Sequence, residues 1–285
     1  MITTEHEIVV QNRYGNDLYA TITQPEPGPT KLPIMLLLHG FKGFRNYSFL
    51  PWTAQHASGL GSIVVRMCFS LNGMSNTSWS VQRLEDFASN TISRECDDAA
   101  DMIQALRSDV QFVNLRDRWD GTISIVGHSR GGGIAMIAAR ELQMQSPSAL
   151  GKVVVWNSVG TWVRWTSRQA SQWKTAGTIE MQNQRTLQML NMHATYLEDI
   201  ELNSERLDLI TASRELHGRI RYIHAVHDLT VPIKEIQHLV DSSGNHDALY
   251  TIGNTTHTFG MEHPVQRITQ GFVDALRSTF PWVLE

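Results

Sequence analysis

A serine between two glycines, an aspartate that follows one apolar run and a histidine that follows another are the residues of this 285-residue chain that could do chemistry together. The serine is Ser129, in "TISIVGHSRGGGIAMIAAR" (122–140), with Gly127 two positions before it and Gly131 two after. A G-x-S-x-G pentapeptide arises by chance in about one chain in ten of this length, so its surroundings must decide its meaning. Here "TISIV" reads as a buried strand and "GGIAMIAAR" as a helix. A turn that sharp leaves no room for side chains at −2 and +2. It lifts the serine oxygen above the sheet edge and aims the positive end of the helix at it. A serine hydroxyl is a poor nucleophile near neutral pH. It needs a base within hydrogen-bond reach and an acid to orient that base.

In a parallel sheet both partners should stand beyond the carboxyl ends of later strands. "YIHAVHDLTVP" puts Asp228 there; Asp241 ends a helix and Asp247 precedes a strand, at the opposite edge. "LYTIGNTTHTFG" puts His257 after the last strand; His246 precedes that strand. His263, beside Pro264, is the alternative base but reads as a residue at the start of the final helix. Charge developing on a substrate oxygen needs two fixed N–H donors. Arg130 supplies one as the residue after the serine, and Phe41 in "HGFKGF" (39–44) is the candidate for the other. His39 reads as a buried histidine bracing that loop. His224 and His227 in "HAVHD" are an odd number of residues apart, so on a strand they face opposite ways and would not share a metal. No metal or cofactor is expected.

The elements that must position these residues follow from pattern. Apolar runs at "IMLLLHG", "SIVVRMCF", "TISIVG", "KVVVWN", "RIRYIHAVHD" and "DALYTIGN" read as strands, preceded by "HEIVVQN" and "DLYATITQ" around the turn "RYGN". Helical spacing at "SRECDDAADMIQALRSD", with Ser93 as N-cap, at "GGGIAMIAARELQ", at 233–241 and at "HPVQRITQGFVDALRSTF" alternates with them. The fold class is therefore α/β, a mostly parallel sheet of about eight strands with helices on both faces. A polar loop is expected over 69–92. Residues 157–217 break the rhythm and are too many for a simple connection. They read as an inserted cap, with a hairpin around Asn183-Gln184 and a helical "SERLDLITASREL", dividing the core into 1–156 and 218–285. Trp162 and Trp165 in this cap are candidate substrate-binding residues, against the plainer reading that Trp156, Trp162, Trp165 and Trp173 hold the insert to the sheet.

Hydrophobic residues make up 41% and charged residues 18%, with net charge −4, which suits a globular protein with no electrostatic attraction to nucleic acid or anionic membranes. Cys68 and Cys96 lack zinc-type spacing and read as buried residues of a reducing compartment. "MITTEHEIVVQNRYG" has acids where a signal peptide needs bases, and no apolar run is long enough to span a bilayer, so a cytoplasmic location is expected.

"HGFKGF", "GHSRGG", "HDLTVP" and "THTFG", in that order, make the chain resemble α/β-hydrolase-fold serine hydrolases over nearly its whole length outside the cap. It is most similar to the branch of dienelactone hydrolases, prolyl-oligopeptidase-type peptidases and cinnamoyl esterases, where a cap often precedes the acid-bearing strand. Dienelactone hydrolases have cysteine where Ser129 stands; haloalkane dehalogenases and epoxide hydrolases have aspartate. The resemblance implies a Ser129–His257–Asp228 triad hydrolysing a small carboxylic ester through an acyl-enzyme. An aminopeptidase-like enzyme is the alternative, with Glu180, Glu198 and Asp199 as candidates to grip a substrate ammonium. A non-catalytic binding protein on the same fold is the third reading.

Overall fold

Strands covered on both faces have no polar side to alternate with, and the apolar runs "IMLLL" and "IVVRM" become such strands, whereas "LYTI" forms a partly exposed edge strand. The computed structural model describes residues 2–26, 28, 31–74 and 80–284. The chain opens with β1 (Ile2–Gln11), β2 (Asp17–Glu26), β3 (Leu32–Leu38), α1 (Leu50–Gly59) and β4 (Ile63–Met67). Then come α2 (Leu84–Ser89), α3 (Ile92–Ser108), α4 (Val113–Asp117), β5 (Trp119–His128), α5 (Arg130–Gln145) and β6 (Leu150–Trp156). Between β6 and the next strand of the main sheet lie α6 (Ser167–Ala176), β7 (Thr178–Gln182), β8 (Met189–His193), α7 (Thr195–Leu202) and α8 (Leu209–Glu215). The chain closes with β9 (Ile220–Ala225), α9 (Ile233–Ser243), β10 (Leu249–Ile252) and α10 (Gln270–Val283).

The eight-stranded sheet has the order β1-β2-β4-β3-β5-β6-β9-β10. β2 runs antiparallel to β1 and β4, and every pairing from β4 to β10 is parallel. Alternation along the strands divides the core in two. Ile34, Leu36 and Leu38 of β3, with Val153 and Val155 of β6, face a layer that includes Met102 of α3, Ile134 of α5 and Leu239 of α9. Met35, Leu37, Val154 and Trp156 face the other layer, under Ala54 of α1 and Phe272 and Phe280 of α10. The carboxyl ends of β3, β5, β6, β9 and β10 thus share one rim. Among the described residues no helix is long and apolar enough to cross a membrane.

Several local expectations are corrected. The stretch expected as a loop over 69–92 contains α2, whose Phe87 and Ala88 are buried; residues 75–79 of that stretch lie outside the described residues. The N-cap of α3 is Thr91, whose hydroxyl accepts from the Arg94 N–H, and not Ser93. The final helix begins at Gln270 behind the Thr269 cap, so His263 is not a helix-start residue. The hairpin turn is longer than Asn183-Gln184: Asn183 N–H donates to the Gln188 carbonyl, and six residues join β7 to β8. The inserted stretch also holds α7, which helical spacing in the sequence did not single out.

Candidate active site

Ser129 stands at the junction of β5 and α5 with φ +57° and ψ −123°. A non-glycine residue held there costs on the order of 1–3 kcal/mol, and the surroundings must enforce it. Ser129 N–H donates to the Trp156 carbonyl at 2.9 Å, while its own carbonyl accepts from Gly132 at 2.9 Å and Val159 at 3.2 Å. The flanking glycines are obligatory. A Cβ on Gly127 would lie 2.1 Å from the Gly131 carbonyl oxygen, and one on Gly131 would lie 2.4 Å from the His39 carbonyl oxygen.

The loop after β3 closes on the same point. A Cβ on Gly40 would be 2.9 Å from Ser129 Cβ and 3.4 Å from Ser129 Oγ, so this backbone runs against the serine. His39 holds the loop. Its ring accepts the Phe69 N–H at Nε2 (3.3 Å) and donates from Nδ1 to the Gly40 carbonyl (2.8 Å). Burial pulls it down to about 4, so it is neutral near pH 7. Arg130 opens α5, where an N–H has no intrahelical acceptor. Among the described residues neither its N–H nor that of Phe41 has a hydrogen-bond partner.

Asp228 lies three residues beyond β9, in a turn its own side chain organises: Oδ1 accepts from the Thr230 (2.8 Å) and Val231 (2.9 Å) N–H groups. Its Oδ2 accepts from His257 Nδ1 at 2.7 Å. Burial opposes its charge, but the His257 hydrogen bond and the two backbone donors outweigh it and hold the carboxyl below its ordinary value. With the proton on Nδ1, the His257 Nε2 lone pair is left free to accept one. Among the described residues Ser129 Oγ has no hydrogen bond to that ring. The imidazole lies instead beside His128, centroids 4.7 Å apart, one residue from the serine. Nucleophile–base hydrogen bonds are often long before substrate arrives and tighten with it.

Asn157 and His128, which the sequence reading passed over, and His224, which it weighed only as a metal ligand, hold the loops of His257 and Asp228. Asn157, fully buried with φ +45°, donates to the His257 carbonyl (2.7 Å) and accepts from the Ala225 N–H (2.7 Å), tying the histidine loop to the end of β9. His128 donates from Nε2 to the same His257 carbonyl at 2.9 Å, and burial pulls it down to about 3. His224 donates from Nε2 to the Val231 carbonyl (2.9 Å), beneath Asp228, while His227 is exposed. Position just beyond a strand of the carboxyl rim was the available signal for Asn157. The buried partners have no signal in one sequence.

The other candidates stand apart from this pair. His263 is seven residues before α10, its ring against Phe44 and Tyr47, and accepts the Ser48 N–H at Nδ1. Trp162 is buried, donates to the Leu207 carbonyl (2.7 Å) and lies against Gly133 of α5. Trp165 is half-buried and meets Trp173 and Tyr196 edge-on. Glu180 and Glu198 are exposed, and Asp199 caps the start of α3 by accepting from Ser93 N–H at 2.9 Å.

No family model matches the chain, and no curated protein matches it. Solved structures do. Est1E from Butyrivibrio proteoclasticus, solved with ferulic acid bound, superposes with TM-score 0.65 at 14% identity over 97% of this chain and 98% of that one. The chain has the α/β-hydrolase fold. A dienelactone hydrolase from Anabaena variabilis ATCC 29413 gives TM-score 0.59 at 14% identity, covering 99% of this chain and 97% of that one. An esterase from Pyrobaculum calidifontis gives 0.63 at 14% identity, covering 98% and 84%. Within this α/β-hydrolase fold, Ser129, Asp228 and His257 all stand on the carboxyl rim of the sheet.

Proposed function

We propose that this protein is a serine hydrolase that cleaves small carboxylic esters through an acyl-enzyme. The observation that carries the reading is the 2.7 Å Asp228–His257 hydrogen bond, which leaves Nε2 as a base on the rim where Ser129 projects. His257 takes the proton of Ser129 Oγ as the oxygen adds to the ester carbonyl, and Asp228 stabilises the imidazolium. The tetrahedral oxyanion is held by the Phe41 and Arg130 N–H groups, each worth about 10²–10³-fold in kcat in comparable sites. The imidazolium then protonates the departing alkoxide, leaving acyl-Ser129. Water, deprotonated by His257, adds to that ester; the second tetrahedral intermediate expels Ser129 Oγ, which recovers its proton, and the acid leaves. The esterases among the structural neighbours support this reaction class, and the ferulate on one of them supports an aromatic acyl group among the substrates to try.

Residues 157–217 serve in this reading as a cap over the rim, and Trp165 is its candidate wall for the acyl group. Two buried free cysteines suit a cytoplasmic enzyme. The peptidase alternative loses support from the carboxylates nominated for it, since two are solvent-facing and Asp199 is committed to α3. The test is turnover of p-nitrophenyl butyrate and p-nitrophenyl ferulate beside an aminoacyl anilide, with fluorophosphonate labelling. Ester turnover and labelling that both vanish in Ser129→Ala are expected. Preference for the anilide rejects the esterase, and absence of both labelling and turnover favours the non-catalytic alternative.

A further inference from the structure

The guanidinium of Arg130, the residue that follows Ser129, takes no part in the reaction above, yet it is buried, at 7% exposure. It lies over the Phe41 ring at 3.8 Å and faces the Tyr196 ring of α7 at 5.3 Å. Its NH1 donates to Glu95 Oε1 at 3.2 Å. Glu95 belongs to the first turn of α3, is 3% exposed, and its Oε1 also accepts from Asn90 Nδ2 at 2.7 Å. Beneath the stack, the Phe41 ring lies nearly parallel to Phe87 of α2, centroids 5.5 Å apart.

A buried Glu–Arg pair is weak as a stabilising device, because desolvating both charges consumes most of their attraction and apolar residues of similar size serve as well. Among the described residues Glu95 Oε2 is buried without a hydrogen-bond partner, a further cost. Burial pushes this carboxyl up despite the nearby arginine. The pair therefore needs another reason, and its position supplies one. Phe41 and Arg130 are the two residues whose N–H groups are to hold the oxyanion, one in the loop after β3 and the other in the first turn of α5. Their side chains are pressed face to face, which sets the separation of the two backbones. Glu95 fixes that stack from a 17-residue helix that carries none of the reacting groups.

We propose that Glu95 is a positioning residue for the oxyanion hole, acting through the Arg130 guanidinium stacked on Phe41. The proposal rests on the serine-esterase reading. Preorganised donors matter only where charge develops, so a loosened hole lowers kcat and leaves ground-state binding alone.

The experiment is a double-mutant cycle of Glu95→Gln and Arg130→Met, read as kcat and KM for p-nitrophenyl butyrate. Affinity for an aliphatic trifluoromethyl ketone, whose hemiketal oxyanion occupies the hole, is read beside it. Glu95→Gln is expected to lower kcat about tenfold with KM within twofold, and to weaken the ketone in parallel. In the Arg130→Met background it should have no further effect. Full kcat with only a lowered Tm, or an equal loss in both backgrounds, overturns the proposal. Should Glu95→Gln not fold, Phe41→Leu removes the stack with the ion pair intact. It should reproduce the kcat and ketone losses, and unchanged values overturn the proposal equally. Wild-type protein without Ser129-dependent turnover defeats the esterase reading itself, an outcome separate from an active wild type indifferent to Glu95.

Discussion

Asn157 ties the His257 loop to the end of β9, and its loss can be followed in numbers. Its side chain is fully buried and spans two loops, donating to the His257 carbonyl and accepting from the Ala225 N–H. Asn157→Ala strands the Ala225 donor, which costs about 1–3 kcal/mol. It also puts alanine at φ +45°, which asparagine tolerates better, adding roughly 1 kcal/mol. The sum of about 3 kcal/mol corresponds to a fall in Tm of about 5–10 °C for a chain of this size. The His257 carbonyl keeps His128 as its other donor, so the loop loosens rather than detaches, and a kcat loss of about 10–100-fold with little change in KM is expected. Asn157→Asp is the sharper probe. One carboxylate oxygen still accepts from Ala225, but the other replaces an N–H donor facing the His257 carbonyl, so acceptor meets acceptor in a buried site. It should be less stable than the alanine variant although its shape is unchanged. Urea denaturation and p-nitrophenyl butyrate kinetics on both variants give the result. An Asn157→Asp protein that unfolds at the wild-type midpoint with wild-type kcat refutes the reasoning.

Gly127→Ala places a methyl 2.1 Å from a backbone carbonyl that no side-chain motion can relieve, so Ser129 reactivity toward a fluorophosphonate should fall about 10²-fold or more while the protein stays soluble. His39 and His128 are held neutral, at about 4 and about 3 against an ordinary 6.5. Their contribution to stability is complete above pH 6.5 and is lost as pH falls toward 3–4; replacing His39 by Gln should flatten the decline in urea stability over that window. Asp98 behaves oppositely. Burial raises it to about 6 from 3.8, against donors from Ser70 and Asn12, so its contribution is greatest below pH 4 and is lost as pH rises through 6. The stability difference between wild type and Asp98→Asn should therefore shift in favour of the variant by a few kcal/mol between pH 4 and 7, and a constant difference would contradict the assignment. Gly133→Ala drives a methyl into the Trp162 ring, 2.4 Å away, and should speed limited proteolysis within 157–217 without abolishing fluorophosphonate labelling.

Local pattern carried the elements whose neighbours are close in sequence or whose environment is uniform. "IMLLL" and "VVVW" announce strands because both faces are covered, and Gly127 announces the elbow because a side chain there would strike the Gly131 backbone four residues on. Asp228 and His257 could be selected by which edge of the sheet each loop occupies. What stayed hidden depended on partners far along the chain. Glu95 and Arg130 are 35 positions apart, and nothing in "SRECDD" distinguishes a buried glutamate from a surface one. Residues 263–269 have helical spacing but are held as a loop, with His263 against Phe44 and Tyr47, so the last helix starts later than its periodicity suggests. α2 is six residues long, too short for a period to register.

The residues argued to perform the reaction issue from the ends of neighbouring strands in the main sheet, whereas 157–217 is one excursion leaving after β6 and returning at β9. In the proposed reading, evolution or an engineer can therefore redraw what surrounds the bound molecule in a single continuous stretch, provided its first residues are kept, since Asn157 holds the His257 carbonyl and the Val159 N–H holds that of Ser129. Exchanging residues 160–217 between related chains should transfer preference while conserving reactivity, apart from the few anchors, such as Tyr196, that reach back to Arg130 beside Ser129.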